Sequence, residues 1–176
     1  FLGLSIADEI PDSKTVWNFR EQLIDLKIVN ELFDLFLVEL EKLNLIVNEG
    51  KIVDASFIEV PKQRNSREEN KEIKAGIIPE KFTENPHQLA QKDVDARWTK
   101  KNNVSYFGYK NHIKVDAKSK IITQYVVTDA SVHDSQATSK LLNTKSKGEN
   151  FYADSAYTGS KQEAIIENAE MVNQVC

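Results

Sequence analysis

The sequence predicts an α/β domain with a mixed sheet, preceded by a helical region. Three observations predict it: helical periodicity over residues 1–47, five segments patterned as strands after residue 48, and helical patterning between the last three of them. At 176 residues and 40% hydrophobic content, the chain can bury one sizeable core with a small appended part. Apolar runs such as LNLIV are too short to cross a bilayer, and FLGLSIADEI has no basic stretch before its apolar residues. The single cysteine, Cys176, excludes an internal disulfide and fits a reducing compartment. The expectation is a cytoplasmic protein without a membrane partner.

The front region divides into two amphipathic helices. The first follows Pro11, with Asp12 or Ser13 as cap and Val16, Phe19, Leu23 and Leu26 at helical spacing. The second, NELFDLFLVELEKLNL, puts Leu32, Phe33, Phe36, Leu40 and Leu43 on one stripe. Aromatic residues at such spacing, here Trp17, Phe19 and Phe36, are expected in a core.

Residues 48–176 form the second predicted domain. Its first strand, KIVDASFIEV, spans 51–60 and is closed by Pro61; Asp54, Ser56, Ile58 and Val60 share one face and Val53, Ala55 and Phe57 the other. An aspartate in such a strand is costly to bury alone. Asp54 is therefore paired, protonated, bound to a cation, or turned to solvent.

Residues 61–105 hold three of the four prolines and only 11 hydrophobic residues among 45, which predicts a polar surface insertion with a helix near 66–75 and no core of its own. The strand YFGYKNHIKVD follows, with Phe107, Tyr109, Ile113 and Val115 on one face and Lys110, His112 and Lys114 on the other. After the turn DAKSK, IITQYVVTD completes an antiparallel hairpin. A helix capped by Asp134 runs to Leu142, and His112 and His133 are candidate but unremarkable ligands.

FYAD is the fourth strand, and its Asp154 sits at the carboxyl end, where open α/β sheets bind ligands. The same residue also suits a turn cap. Ser160 and Glu163 predict a capping box opening a helix to about Asn168, and MVNQV reads as a last strand. The order β-β-β-α-β-α-β is that of a ribonuclease H-like domain. In that arrangement the first and fourth strands are neighbours, which brings Asp54 beside Asp154.

Four stretches, IVDASFIEVPKQRN, DARWTKKNNVSYFGYKNHIKVD, VVTDASVHDSQ and above all YADSAYTG, resemble the DDE transposases of IS5- and IS4-type bacterial insertion sequences. FLGLSIADEIPDSKTVWNFRE resembles the helical region in front of their catalytic domain. The resemblance implies cleavage of DNA at transposon ends and strand transfer to target DNA, with Asp54 and Asp154 as the first two catalytic, metal-binding carboxylates. Such chemistry suits two Mg²⁺ (or Mn²⁺) ions roughly 3.5 to 4 Å apart, held by carboxylate oxygens. The family's third acid, a glutamate, has no placeable counterpart here, which predicts weak or absent activity for this chain alone. The implied partners are double-stranded DNA, as terminal inverted repeats and target, and a second copy of the chain assembled on it.

The net charge of −4 conceals an uneven distribution. Residues 1–60 carry 5 basic and 12 acidic side chains; residues 91–120 carry 8 and 3. The DNA contacts are therefore expected from Arg64, Arg67, Arg97, Trp98, Lys100 and Lys101 in the insertion and from the Lys110 and Lys114 face, rather than from the acidic front helices. Two other readings fit less of the pattern: a ribonuclease H-like resolvase, and a DNA-binding or dimerising fragment without catalysis.

Overall fold

A computed structural model describes residues 3, 5, 8–60, 64–142 and 144–176, and divides the chain into two compact units, Phe1–Leu45 and Ile46–Cys176. In the first unit, α1 (Ser13–Asp25) starts at Asp12, whose carboxylate accepts from the Thr15 N–H at 2.7 Å. It ends on Lys27 in the left-handed region, with the Ile28 N–H donating to Leu23 and the Lys27 N–H to Ile24. Helix α2 (Val29–Lys42) ends in the same way on Asn44. Neither helix buries a residue: Trp17, Phe19 and Phe36 are 56%, 59% and 58% exposed. The expected core is not formed, because two short helices supply no further layer to cover their apolar stripes.

The second unit is a mixed six-stranded sheet with helices: β1 (Gly50–Glu59), β2 (Arg97–Lys101), β3 (Val104–Asp116), β4 (Ile122–Asp129), β5 (Asn150–Tyr152) and β6 (Val172–Asn173). The order is β2-β3-β1-β5-β6, with β4 also on β3. Strand β3 runs antiparallel to β1, β2 and β4, and its 13 residues are long enough to pair β2 with the first part and β4 with the rest. Strand β5 lies parallel to β1, and β6 parallel to β5. Thus the first and fourth predicted strands are neighbours. Val53 and Phe151 of the sheet pack with Leu141 of α6 (Thr138–Leu141), Ile166 of α7 (Ser160–Asn168), Tyr157 and Met171 to form the core. Pro61, expected to close β1, lies outside the described residues.

Four local expectations are corrected. The insertion does fold: it carries α3 (Arg67–Lys74), α4 (Glu80–Glu84), α5 (Pro86–Leu89) and β2, and it fully buries Phe82 and Ala96. Asn102 and Asn103, both with positive φ, form a two-residue turn that folds β2 onto β3. The polar face of β3 points inward, so that Lys110, His112, Lys114 and Asp116 are all buried, whereas Tyr109, Ile113 and Val115 are half-buried. Register explains how: Lys51, Val53, Ala55 and Phe57 of β1 face Asp116, Lys114, His112 and Lys110, so these charges share the core face and are met there by other ionic groups.

The other two corrections concern caps. Asp134 does not cap the turn at Asp134–Gln136; His133 does, accepting from the Ser135 N–H, and Asp134 instead takes Lys110. Helix α7 starts from Gly159 at φ 106 with no side-chain cap, so Ser160 and Glu163 form no capping box. That box occurs earlier, at Ser66 and Glu69 of α3.

Candidate active site

Strand β5 is only three residues long. Its parallel pairing with β1 ends at Ile52 and Tyr152, and both chains then run on to an aspartate two residues later. Past the last pair the backbones part. The opening is a cleft of about 640 Å³, whose lining includes Asp54, Asp154, Tyr152, Asn150, Glu49 and Lys118.

Both aspartates are exposed, and each is oriented by its own backbone: Asp54 Oδ1 accepts from the Ala55 N–H at 2.7 Å and Asp154 Oδ1 from the Ala156 N–H at 3.0 Å. Asp154 is thus the cap of the short turn Ser155–Tyr157 as well as a wall of the cleft. Neither carboxylate makes an ion pair with a described residue. Lys118, the cation in the lining, is held by Glu49 at 2.9 Å. Two oriented carboxylates without a protein cation suit a hard divalent cation that keeps much of its water shell. Among the described residues no group of three or more His, Cys, Asp or Glu side chains could hold a metal ion.

Two residues near the cleft were not expected there from the sequence, which marked Asp134 only as a helix cap and gave Tyr157 no role. Tyr157 is 1% exposed, with a hydroxyl that has no hydrogen-bond partner among the described residues. Burial first, and then the charges of Asp134, Asp54 and Asp154, push this phenol well above its usual range. Asp134 is the second; its ion pair with Lys110 at 2.8 Å places a third carboxylate within electrostatic range of the same hydroxyl. An aromatic residue three positions after a strand-end aspartate is the available sequence signal.

The residues expected to touch DNA fall into different surroundings. Lys110 is buried and donates to the Val132 carbonyl at 2.6 Å and to Asp134, and Lys114 is 2% exposed, so the β3 face is withdrawn from solvent. Burial pulls Lys114 down to about 8 and holds His112 below the usual imidazole value. Arg97 is half-buried and donates to the Val94 and Ala96 carbonyls. Trp98 packs on Phe107 and donates to the Asn65 carbonyl, with Arg64 over its ring and paired to Glu59 at 2.8 Å. Arg67, Lys100 and Lys101 are exposed; Arg67, Trp98 and Lys100 share a second cleft between α3 and β2.

No helix among the described residues is long and apolar enough to cross a membrane. The family model described as the transposase DDE domain matches residues 47–171. No solved structure matches the chain.

Proposed function

The chain belongs to the family of DDE transposases, and we propose that it carries, in the cleft formed by Asp54 and Asp154, the chemistry that cuts DNA at the ends of an IS5- or IS4-type insertion sequence and joins them to target DNA, with weak or no activity of its own for want of a third acid. One observation carries this reading: past the parallel pairing of Ile52 with Tyr152, the carboxylates of Asp54 and Asp154 line one cleft. A strand order with three antiparallel strands leading into two parallel ones is what a ribonuclease H-like sheet requires, and supports that assignment.

Asp54 and Asp154 would hold two divalent ions, Mg²⁺ or Mn²⁺, supplying positive charge against the extra negative charge of a pentavalent phosphate. The backbone N–H groups of Ala55 and Ala156 fix the carboxylates beforehand, so little reorganisation is left for the moment of reaction. Glu49 keeps the Lys118 ammonium on its own carboxylate, which lowers competition for the two aspartates. In the first step a water oxygen attacks phosphorus and the P–O3′ bond breaks to free a 3′ hydroxyl. In the second, that hydroxyl oxygen attacks phosphorus of a target phosphodiester, a new P–O3′ bond forms, and the target's own P–O3′ bond breaks to leave a free 3′ hydroxyl on the target strand. The enzyme works in the cytoplasm of a bacterium, and two copies assemble on the DNA.

The test combines Mn²⁺ binding, measured by electron paramagnetic resonance, with cleavage of DNA bearing the insertion-sequence ends. Binding that is lost in Asp54→Asn and Asp154→Asn, together with any metal-dependent nicking, supports the reading. Binding that survives both substitutions contradicts it.

A further inference from the structure

The cleft between α3 and β2 has a volume of about 510 Å³, and its charged lining is entirely cationic: Arg67, Lys71, Lys74 and Lys100. None of the four makes an ion pair with a described residue, although the cleft borders a helix with three glutamates among its eight residues. The sequence of α3, REENKEIK, sorts its charges by face. Arg67, Lys71 and Lys74, at positions i, i+4 and i+7, line the cleft, while Glu68, Glu69 and Glu72 border the opposite side with Glu80.

The i,i+4 pairs Arg67 with Lys71 and Glu68 with Glu72 are like-charged, which keeps each sign on its own face. Acids in the first turn, lysines in the last, and the ion pairs of Glu69 with Lys81 and Lys92 hold the helix. Strand β2 then adds Lys100 across the cleft. The lining therefore gathers four cations from two separate elements, with Trp98, Thr99 and Ser105 and, among the described residues, no acidic side chain, which suits the repeated phosphates of a nucleic-acid backbone.

We infer that the α3–β2 cleft is a track for the phosphate backbone of DNA, separate from the carboxylate cleft, with Arg67, Lys71, Lys74 and Lys100 as its contacts. The partner's identity as DNA rests on the proposed transposase function. The track adds to that function a surface that holds the duplex by charge and without regard to its sequence.

The test is fluorescence anisotropy of a labelled, mixed-sequence DNA duplex titrated with the protein over a range of salt concentrations. All four cations are exposed, so Arg67→Ala, Lys71→Ala, Lys74→Ala and Lys100→Ala combined leave the fold intact, checked by circular dichroism. At physiological salt the combined variant binds at least about tenfold more weakly, and the slope of log Kd against log salt falls by about 3 to 4. Glu68→Gln with Glu72→Gln, on the opposite face, does not weaken binding. A combined variant with unchanged affinity and slope overturns the track and leaves the carboxylate chemistry standing. Tighter binding of an RNA duplex than of DNA also overturns it. Absence of DNA binding by the unaltered protein overturns both readings together.

Discussion

Ile52 on β1 is paired in parallel register with Tyr152 on β5, and from that pair each strand reaches its aspartate in two residues. The arrangement puts the two carboxylates in the lining of one cleft, although a hundred positions separate them in sequence. It also separates their chemistry from the fold, since both side chains are exposed.

Replacing Asp54 or Asp154 by asparagine should therefore cost little stability, within ~0.5 kcal/mol for Asp54 and about 1 kcal/mol for Asp154, which loses part of a cap. Mn²⁺ affinity should fall at least about tenfold in each, the size of loss that even outer-shell changes produce. Calorimetric metal titrations alongside thermal melts measure the two effects separately.

Lys114 gives the protein an alkaline stability increment. Burial, then the nearby charge of Lys51, depresses this amine to about 8 from 10.5, so the charged form is penalised in the fold while the unfolded chain keeps its proton. The unfolded state binds more protons between those values, so stability rises with pH from about 8 towards 10.5, by on the order of 3 kcal/mol at most. Denaturant melts across that window should show the rise, and Lys114→Met should flatten it.

Asp116 carries a dependence of the same sign at the acid end of the scale. Burial alone would raise its carboxyl, but the Ser119 and Asn48 N–H groups, the Ser119 hydroxyl and Lys51 outweigh burial and hold it well below the usual carboxylate range. Its contribution is present above the ordinary carboxylate value and is lost as pH falls through the depressed one. Asp116→Asn leaves Lys51 with Glu149 as its one remaining ionic partner among the described residues, beside the Asn48 amide oxygen, and should cost about 3 kcal/mol at neutral pH in urea unfolding.

Gly108 sits where β3 meets the end of β1. A Cβ built there would lie 2.1 Å from the Ile58 carbonyl oxygen and 2.9 Å from the Val60 nitrogen, and its φ of +153° disfavours other residues. Gly108→Ala should thus separate the strands and destabilise by at least ~3 kcal/mol, seen as a large shift in the urea midpoint.

Much of this was legible in the sequence, for particular reasons. The alternation in KIVDASFIEV and the short run FYAD were enough to make β1 and β5 neighbours and to bring Asp54 to Asp154. The alternation in β3 misled, because burial of Lys110, Lys114 and Asp116 depends on Asp134, Lys51 and Glu149 arriving from distant segments, which no local pattern carries. Strand β2 was hidden in a polar insertion, and its signal was the Asn102-Asn103 pair, a turn that only left-handed-tolerant residues make readily. The Ser160–Glu163 box failed because Gly159 already starts α7.

The most direct test of the catalytic assignment is a crystal of the protein soaked in Mn²⁺, with anomalous density collected at the metal's absorption edge. The account predicts a peak in the cleft between β1 and β5, with carboxylate oxygens of both Asp54 and Asp154 at about 2.0 to 2.2 Å from manganese. Manganese bound elsewhere, or to neither aspartate, would contradict it.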